Sequence, residues 1–126
     1  MQDLPAPLAV LGGGLIGSAA RAAVGAAFPV AVGAFPATTL LVNLAGSLLL
    51  GLFLARRQRA VTRRWSLRFW AIGALGSFTT FSTFSVEVFR LLDRQAWASA
   101  CGYVLASILF GLGAAVIGQR LGRVGR

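Results

Sequence analysis

The sequence predicts an all-α membrane protein with four transmembrane helices in a single domain, residues 1–126. Three observations carry that reading. Hydrophobic residues make up 57% of the chain and charged residues 12%, far from the roughly 45–50% and 25% of soluble domains. A chain this short has no core large enough to hide so much apolar surface. The apolar residues also gather into four segments, at about 8–28, 38–55, 67–92 and 96–117, each near the ~20 residues that cross ~30 Å of hydrocarbon.

The first segment, Leu8 to Phe28, is closed by Pro29. It is read as a retained span, because it lacks a basic leader, carries Asp3 before it and continues past the length of a signal core. Gly13, Gly17, Arg21 and Gly25 recur every four residues, which leaves a narrow face for close helix approach. Gly12 to Gly17 also fits G-x-G-x-x-G, but no strand precedes it and no acid lies about twenty residues on, so a dinucleotide site is not expected. Arg21 lies deep in the apolar run. It is assigned a structural role, snorkelling towards the Pro29 end or pairing with a carboxylate or backbone carbonyls inside the bundle.

The second segment opens after Pro36 and ends at Arg56-Arg57. Thr39, Asn43, Ser47, Gly51 and Ala55 share one face at four-residue spacing. Spacing leaves two roles open for Asn43, interhelical glue or an amide donor lining a pore. The fourth segment places Tyr103 and Ser107 on one face, with Gly102, Gly111, Gly113 and Gly118 expected to allow close contacts. Cys101 is a lone small apolar residue with no disulfide partner. Trp65, Trp70 and Trp97 sit near segment ends, as aromatic belt residues do.

The third segment, 67–92, is the unusual one. Between Leu75 and Leu91 it has no leucine and reads Gly-Ser-Phe-Thr-Thr-Phe-Ser-Thr-Phe-Ser-Val-Glu over 76–87. Polar groups at membrane depth are costly and mark a pathway or a site. On a continuous helix Phe78, Phe81 and Phe84 form an aromatic stripe, with Thr80, Thr83 and Glu87 beside it. If the helix breaks near Gly76–Thr80, the freed carbonyls suit a hard cation such as Na⁺, and the phenylalanine edges attract an anion. Glu87 is dissonant in an anion path. It is left as an anchor for hydroxyl rotors, a protonated acid or a cap on the path.

The formal charge is +9, and all twelve cations are arginine. They lie between the apolar segments and not along one polar face, so nucleic acid is not an expected partner. Arg56, Arg57, Arg59, Arg63, Arg64, Arg68, Arg120, Arg123 and Arg126 fall on one side of a four-span topology. Arg90 and Arg94 fall on the other, which points both termini to the cytoplasm. There is no histidine, and the only acids are Asp3, Glu87 and Asp93. That removes triads, carboxylate pairs and side-chain metal clusters, so no enzyme is expected.

The 76–87 stretch resembles the signature of the small bacterial fluoride channels, the Fluc/CrcB family. Residues 39–46, Thr-Leu-Leu-Val-Asn-Leu-Ala-Gly, resemble its second-helix motif, and residues 14–21, Gly-Leu-Ile-Gly-Ser-Ala-Ala-Arg, its first. The resemblance covers all four segments in order. It implies passive export of cytoplasmic fluoride across the bacterial inner membrane, conferring fluoride resistance. It also implies an antiparallel, dual-topology dimer whose third helix is broken near its middle. A structural Na⁺ would be held centrally by the main-chain carbonyls of Gly76 and Thr79. Phe81 and Phe84 match the phenylalanines that meet fluoride, and Asn43 the pore amide. Ser82, Thr83 and Tyr103 match a polar track, which Ser107 on the Tyr103 face extends. Glu87 matches the nearby acid and Arg21 the first-helix arginine. The strong arginine asymmetry is awkward for dual topology. A homodimer in membrane lipid is the expectation, and a heterodimer with a paralogue the alternative. Two other functions compete: a small multidrug-type proton-coupled exporter, and a non-transporting assembly subunit whose hydroxyls only join helices.

Overall fold

The computed structural model describes residues 5–31, 33–58 and 64–124, and the described residues are almost entirely helical. Helix α1 spans Ala6–Ala27 and α2 spans Ala37–Arg57. Helix α3, residues 64–78, opens as Arg64–Ser66, widens to a π-helix over Leu67–Leu75 and closes with one turn, Gly76–Phe78. Helix α4 spans Phe81–Asp93 and α5 spans Trp97–Val124. Asp3, Arg59, Arg63 and Arg126, all weighed in the charge pattern, lie outside the described residues.

Prolines set two of the boundaries. Pro5 and Pro7 flank the first residue of α1, where a missing amide costs nothing. Pro29 follows the last turn of α1, where Phe28 still donates to Val24. Thr38 then ties the start of α2 back to the end of α1 by donating to the Phe28 carbonyl at 2.7 Å.

The helices pack as pairs. The closest association is α2 with α5, followed by α1 with α3, while α1 and α2 barely touch. Glycines make both pairings possible. A Cβ on Gly13 would strike the Phe69 carbonyl, and one on Gly17 the Ala74 carbonyl. In the other pair, a Cβ on Gly118 would strike the Leu48 carbonyl. Close backbone approach of this kind replaces the hydrophobic drive that lipid cannot supply. Gly25, Gly102, Gly111 and Gly113 meet nothing within 4 Å. The expected packing role of the last three is therefore corrected within the chain: they meet no neighbour there, and Gly118 and Gly122 supply the contacts with α2.

That pairing also accounts for the length of α5. The fourth apolar segment was expected to end near Ile117, whereas the helix continues to Val124. Gly122 sits against Ala55 and Leu52 of α2, so the extra turns have a partner beyond the apolar run.

Among the described residues three helices, α1, α2 and α5, are long and apolar enough to cross a membrane. They expose residues that a soluble fold would bury, among them Leu11, Leu15, Leu41, Leu109, Phe110 and Leu112. The inward-facing apolar cluster is small. Leu91, Ala100 and Tyr103 form it, with Leu40, Phe84, Val88, Leu92 and Ala96 packed around them. A chain that keeps its largest apolar faces outside is a multi-pass membrane protein.

Candidate functional site: a broken helix and a hydroxyl–carboxylate track

The site is organised by an interruption between α3 and α4. Thr79 leaves helical geometry at ψ 158°, and Thr80 is extended at φ −146°, ψ 120°. In a continuous α-helix the Thr80 amide would bond the Gly76 carbonyl and the Thr83 amide the Thr79 carbonyl. Neither does. The Thr80 amide donates to Asn43 Oδ1 at 2.8 Å, and the Thr83 amide donates to Thr80 Oγ1 at 3.1 Å. The carbonyls of Gly76 and Thr79 are thereby released from the helical ladder.

Asn43 holds the break from both sides. Besides accepting from the Thr80 amide, its Nδ2 donates to the Thr80 carbonyl at 3.0 Å. One side chain on α2 thus mimics a strand partner for the extended residue. One amide hydrogen of Asn43 is left over from this pairing. Thr80 in turn caps α4, a preferred N-cap type in the expected geometry.

Two neighbours complete the support. Arg21 Nε donates to the Ser77 carbonyl at 3.1 Å. Its acceptor is a backbone carbonyl and not a carboxylate, and a continuous helix would have spent that carbonyl on the Phe81 amide. The Thr79 methyl lies against Gly46, where a Cβ would collide with it.

The break divides the expected aromatic stripe. Phe78 belongs to the end of α3, and only Phe81 and Phe84 share α4. Their ring centroids are 5.8 Å apart, and Phe84 also packs on Tyr103 at 5.1 Å. Phe81 is 79% exposed, so it is not a core residue of this chain.

From Thr80 a line of oxygens follows α4. Thr80 Oγ1 donates to Thr83 Oγ1 at 3.0 Å and lies 3.3 Å from Ser82 Oγ. One turn further, Glu87 accepts from Thr39 Oγ1 and from the Tyr103 hydroxyl, each at 2.7 Å. Tyr103 is fully buried. Its ring is held edge-on by Phe35, at 5.5 Å and 78°. Glu87 therefore orients two hydroxyl protons towards itself. Ser107 bonds its own helix, donating to the Tyr103 carbonyl at 2.7 Å.

Two cavities flank this line. One of about 310 Å³ opens at the break beside Asn43, Gly46, Ser47, Gly76, Thr79 and Phe81. The other, about 370 Å³, lies between Glu87 and the residues Val30, Ala31, Gly33, Ala34 and Pro36, with Arg90, Asp93 and Arg94 also on its walls. Gly33 adopts φ +93°, open to glycine, and the Arg94 guanidinium fills the place a Cβ would take.

Sequence spacing placed Thr39 on the Asn43 face but did not name its partner. The antiparallel run of α2 and α4 pairs Thr39 with Glu87 and Asn43 with Thr80, two rungs one turn apart on α2 and about two turns apart along α4. Phe35 carried no sequence signal, because its role comes from a loop contact, and Gly46 stood in the second-helix motif without its partner, the Thr79 methyl, being named.

No group of three or more His, Cys, Asp or Glu side chains among the described residues suits a metal ion. With main-chain oxygens, hydroxyls and one tethered carboxylate at its centre, the fold is that of a multi-pass helical membrane protein with a polar line through its interior. Comparison with known proteins narrows this class. Residues 8–119 match the family described as CrcB-like protein, Camphor Resistance (CrcB). A Nitrobacter winogradskyi protein named fluoride-specific ion channel FluC is 42% identical over 123 residues, covering 93% of this chain and 94% of the relative. A Deinococcus radiodurans protein of the same name is 46% identical over 112 residues, covering 87% and 89%. A Streptomyces avermitilis protein named fluoride-specific ion channel FluC 3 is 43% identical over 117 residues, covering 92% of this chain and 57% of the relative. The chain belongs to the CrcB family.

Proposed function

We propose that this protein is a passive, fluoride-selective channel of the bacterial inner membrane that lets cytoplasmic fluoride leave down its gradient. The observation that carries the reading is the Asn43–Thr80 clamp. It opens the third membrane segment where the Phe81–Phe84 pair begins and exposes polar backbone at depth. Irregular backbone is tolerated there only when it is bonded or lines a path. Names borne by relatives alike over nearly their whole length supply the ion.

In this reading α3 and α4 together form a third span and α5 a fourth, and two chains pack antiparallel around the paired breaks. The chemistry along the path suits a small, hard anion. The first turn of α4 points its amides towards the break, at the positive end of that helix. Phe81 and Phe84 present polarised ring edges, and Asn43 keeps one N–H free of Thr80. Ser82 and Thr83 carry hydroxyls that rotate to donate. Glu87 keeps Thr39 and Tyr103 facing one another across the track. Beyond it, Arg90 and Arg94 give the outer cavity two cations against the carboxylates of Glu87 and Asp93. Fluoride would exchange its water for these donors, and larger, softer chloride would gain less from them.

The break also fits a structural sodium ion. A hard cation takes oxygen ligands, and the Gly76 and Thr79 carbonyls are two that the helix releases, whereas the Ser77 carbonyl, also freed, is taken by Arg21. When bound, the ion would contribute fixed positive charge where two chains meet. Arg21 and Asn43 hold the neighbouring carbonyls of Ser77 and Thr80, so the backbone there is shaped before any ion arrives.

The test is efflux from liposomes holding the purified protein, followed in parallel with fluoride and chloride electrodes. Fluoride loss without chloride loss is expected. Proton-driven cation movement would instead identify an exporter. Absence of flux, with and without a paralogous partner, would leave only an assembly subunit.

A further inference from the structure

A third cavity, of about 400 Å³, lies at the opposite end of the molecule from Glu87. Leu49, Leu52 and Phe53 of α2 and Trp70 and Leu75 of α3 form its walls. Its rim is formed by Arg56 and Arg57 in the last turn of α2. The size is that of a small-molecule pocket. It does not belong to the Asn43–Glu87 line, and Leu75 is the only wall residue it shares with the cavity at the break.

Two features need an occupant. Arg57 Nη1 is buried and has no hydrogen-bond partner among the described residues. A buried cationic donor left in that state is costly, and an anion is its natural complement. The walls are apolar, and Leu49 and Trp70 are 43% and 46% exposed towards the surroundings. A soluble anion would use the arginines and leave the walls unused. An uncharged hydrocarbon would do the reverse. The groove also lies at the arginine-rich end of the chain, at headgroup level, where an anionic lipid meets basic side chains.

We propose that this groove binds one anionic phospholipid, with an acyl chain along Leu49, Leu52, Phe53 and Trp70 and the phosphate on Arg56 and Arg57. A zwitterionic lipid offers the same phosphate but carries a cation beside it, which the arginines disfavour. The proposal is independent of which ion the protein conducts.

The experiment is native mass spectrometry of the full chain after reconstitution in mixed phosphatidylglycerol and phosphatidylcholine vesicles. The readout is the lipid retained through delipidating wash. The wild-type chain is expected to keep phosphatidylglycerol in preference to phosphatidylcholine. Arg56→Gln with Arg57→Gln should cut that retention roughly thirtyfold, for the loss of two cations at the headgroup level. Leu52→Trp should also remove it, since the wall is filled while both arginines remain. Arg64→Gln with Arg120→Gln removes the same charge outside the groove and should change nothing. Excess inorganic phosphate should not displace the lipid.

Equal retention of the two lipids would overturn the proposal. So would equal losses in both arginine pairs, which would reduce the effect to surface charge. Displacement by phosphate alone would assign the arginines to a free anion. A chain that keeps no lipid and resists brominated-lipid quenching of Trp70 would assign the groove to a second copy of the protein. Should Leu52→Trp fail to fold, the two arginine pairs still decide the matter.

Discussion

Replacing Asn43 with alanine should close the break. The side chain supplies two hydrogen bonds to Thr80, at 2.8 and 3.0 Å. Each is worth about 0.5–1.5 kcal/mol net, so the pair favours the broken form by about 1–3 kcal/mol over a continuous helix. Without Asn43 the Thr80 amide regains its helical acceptor, the Gly76 carbonyl. The ratio of broken to continuous forms should fall roughly 5- to 150-fold. Fluoride efflux from liposomes should fall with it, because the Phe81–Phe84 pair and the released carbonyls lose their placement together. The bundle should survive, since the α2–α5 contacts that hold it lie elsewhere. The assay is initial fluoride efflux per reconstituted protein, alongside thermal unfolding and the oligomer size in detergent. Asn43→Ala with unchanged flux, in correctly folded protein, would falsify the clamp as the feature that holds the path.

Four further outcomes follow from particular contacts. Phe81→Ile should abolish fluoride efflux with little change in unfolding temperature, because Phe81 is mostly exposed within the chain. Phe84→Ile should lose efflux and also about 1 kcal/mol, the order of its ring contacts with Phe81 and Tyr103. Wild-type flux in both variants would return the phenylalanines to a purely packing role. Glu87→Ala leaves the buried Tyr103 hydroxyl without its acceptor, at a cost of about 1–3 kcal/mol. Combining it with Tyr103→Phe should cost less than the sum, measured by chemical unfolding in a double-mutant cycle; strict additivity would mean the two do not communicate. Gly17→Val should fail to assemble because of the Ala74 carbonyl, whereas Gly25→Ala meets nothing and should be silent in expression and flux. Exchange of Na⁺ for an organic cation should lower the unfolding temperature if the released carbonyls hold sodium. A stabilisation of about 2.7 kcal/mol is expected at a hundredfold excess over the dissociation constant, and an unfolding temperature indifferent to the cation would argue against the site.

Much of this protein was legible along the chain. Composition and the four apolar runs determined the membrane class, because apolar surface beyond what a small core can bury has few other destinations. The glycine spacing marked close approach at Gly13 and Gly17. The 76–87 run drew attention to itself by lacking leucine where a plain anchor would have it. Linear spacing nevertheless read Phe78, Phe81 and Phe84 as one stripe, because periodicity assumes the helix it is used to detect. The interruption at Thr79–Thr80 arises from a side chain thirty-seven residues earlier, and no local propensity records such a partner.

The same limit applies to the acid and to the glycines of α5. Glu87 was ambiguous as a lone carboxylate, and only the antiparallel run of α2 and α4, with α5 against them, brings Thr39 and Tyr103 to its two oxygens. Gly102, Gly111 and Gly113 look like Gly118 in the sequence, yet only Gly118 of these four meets a neighbour. Sequence by itself determined what kind of solvent the chain lives in and which residues are out of place there, because those depend on residue chemistry alone. Which carbonyls are set free, and which hydroxyls turn towards Glu87, was decided by tertiary structure, because a hydrogen bond between distant residues depends on how the helices are brought together.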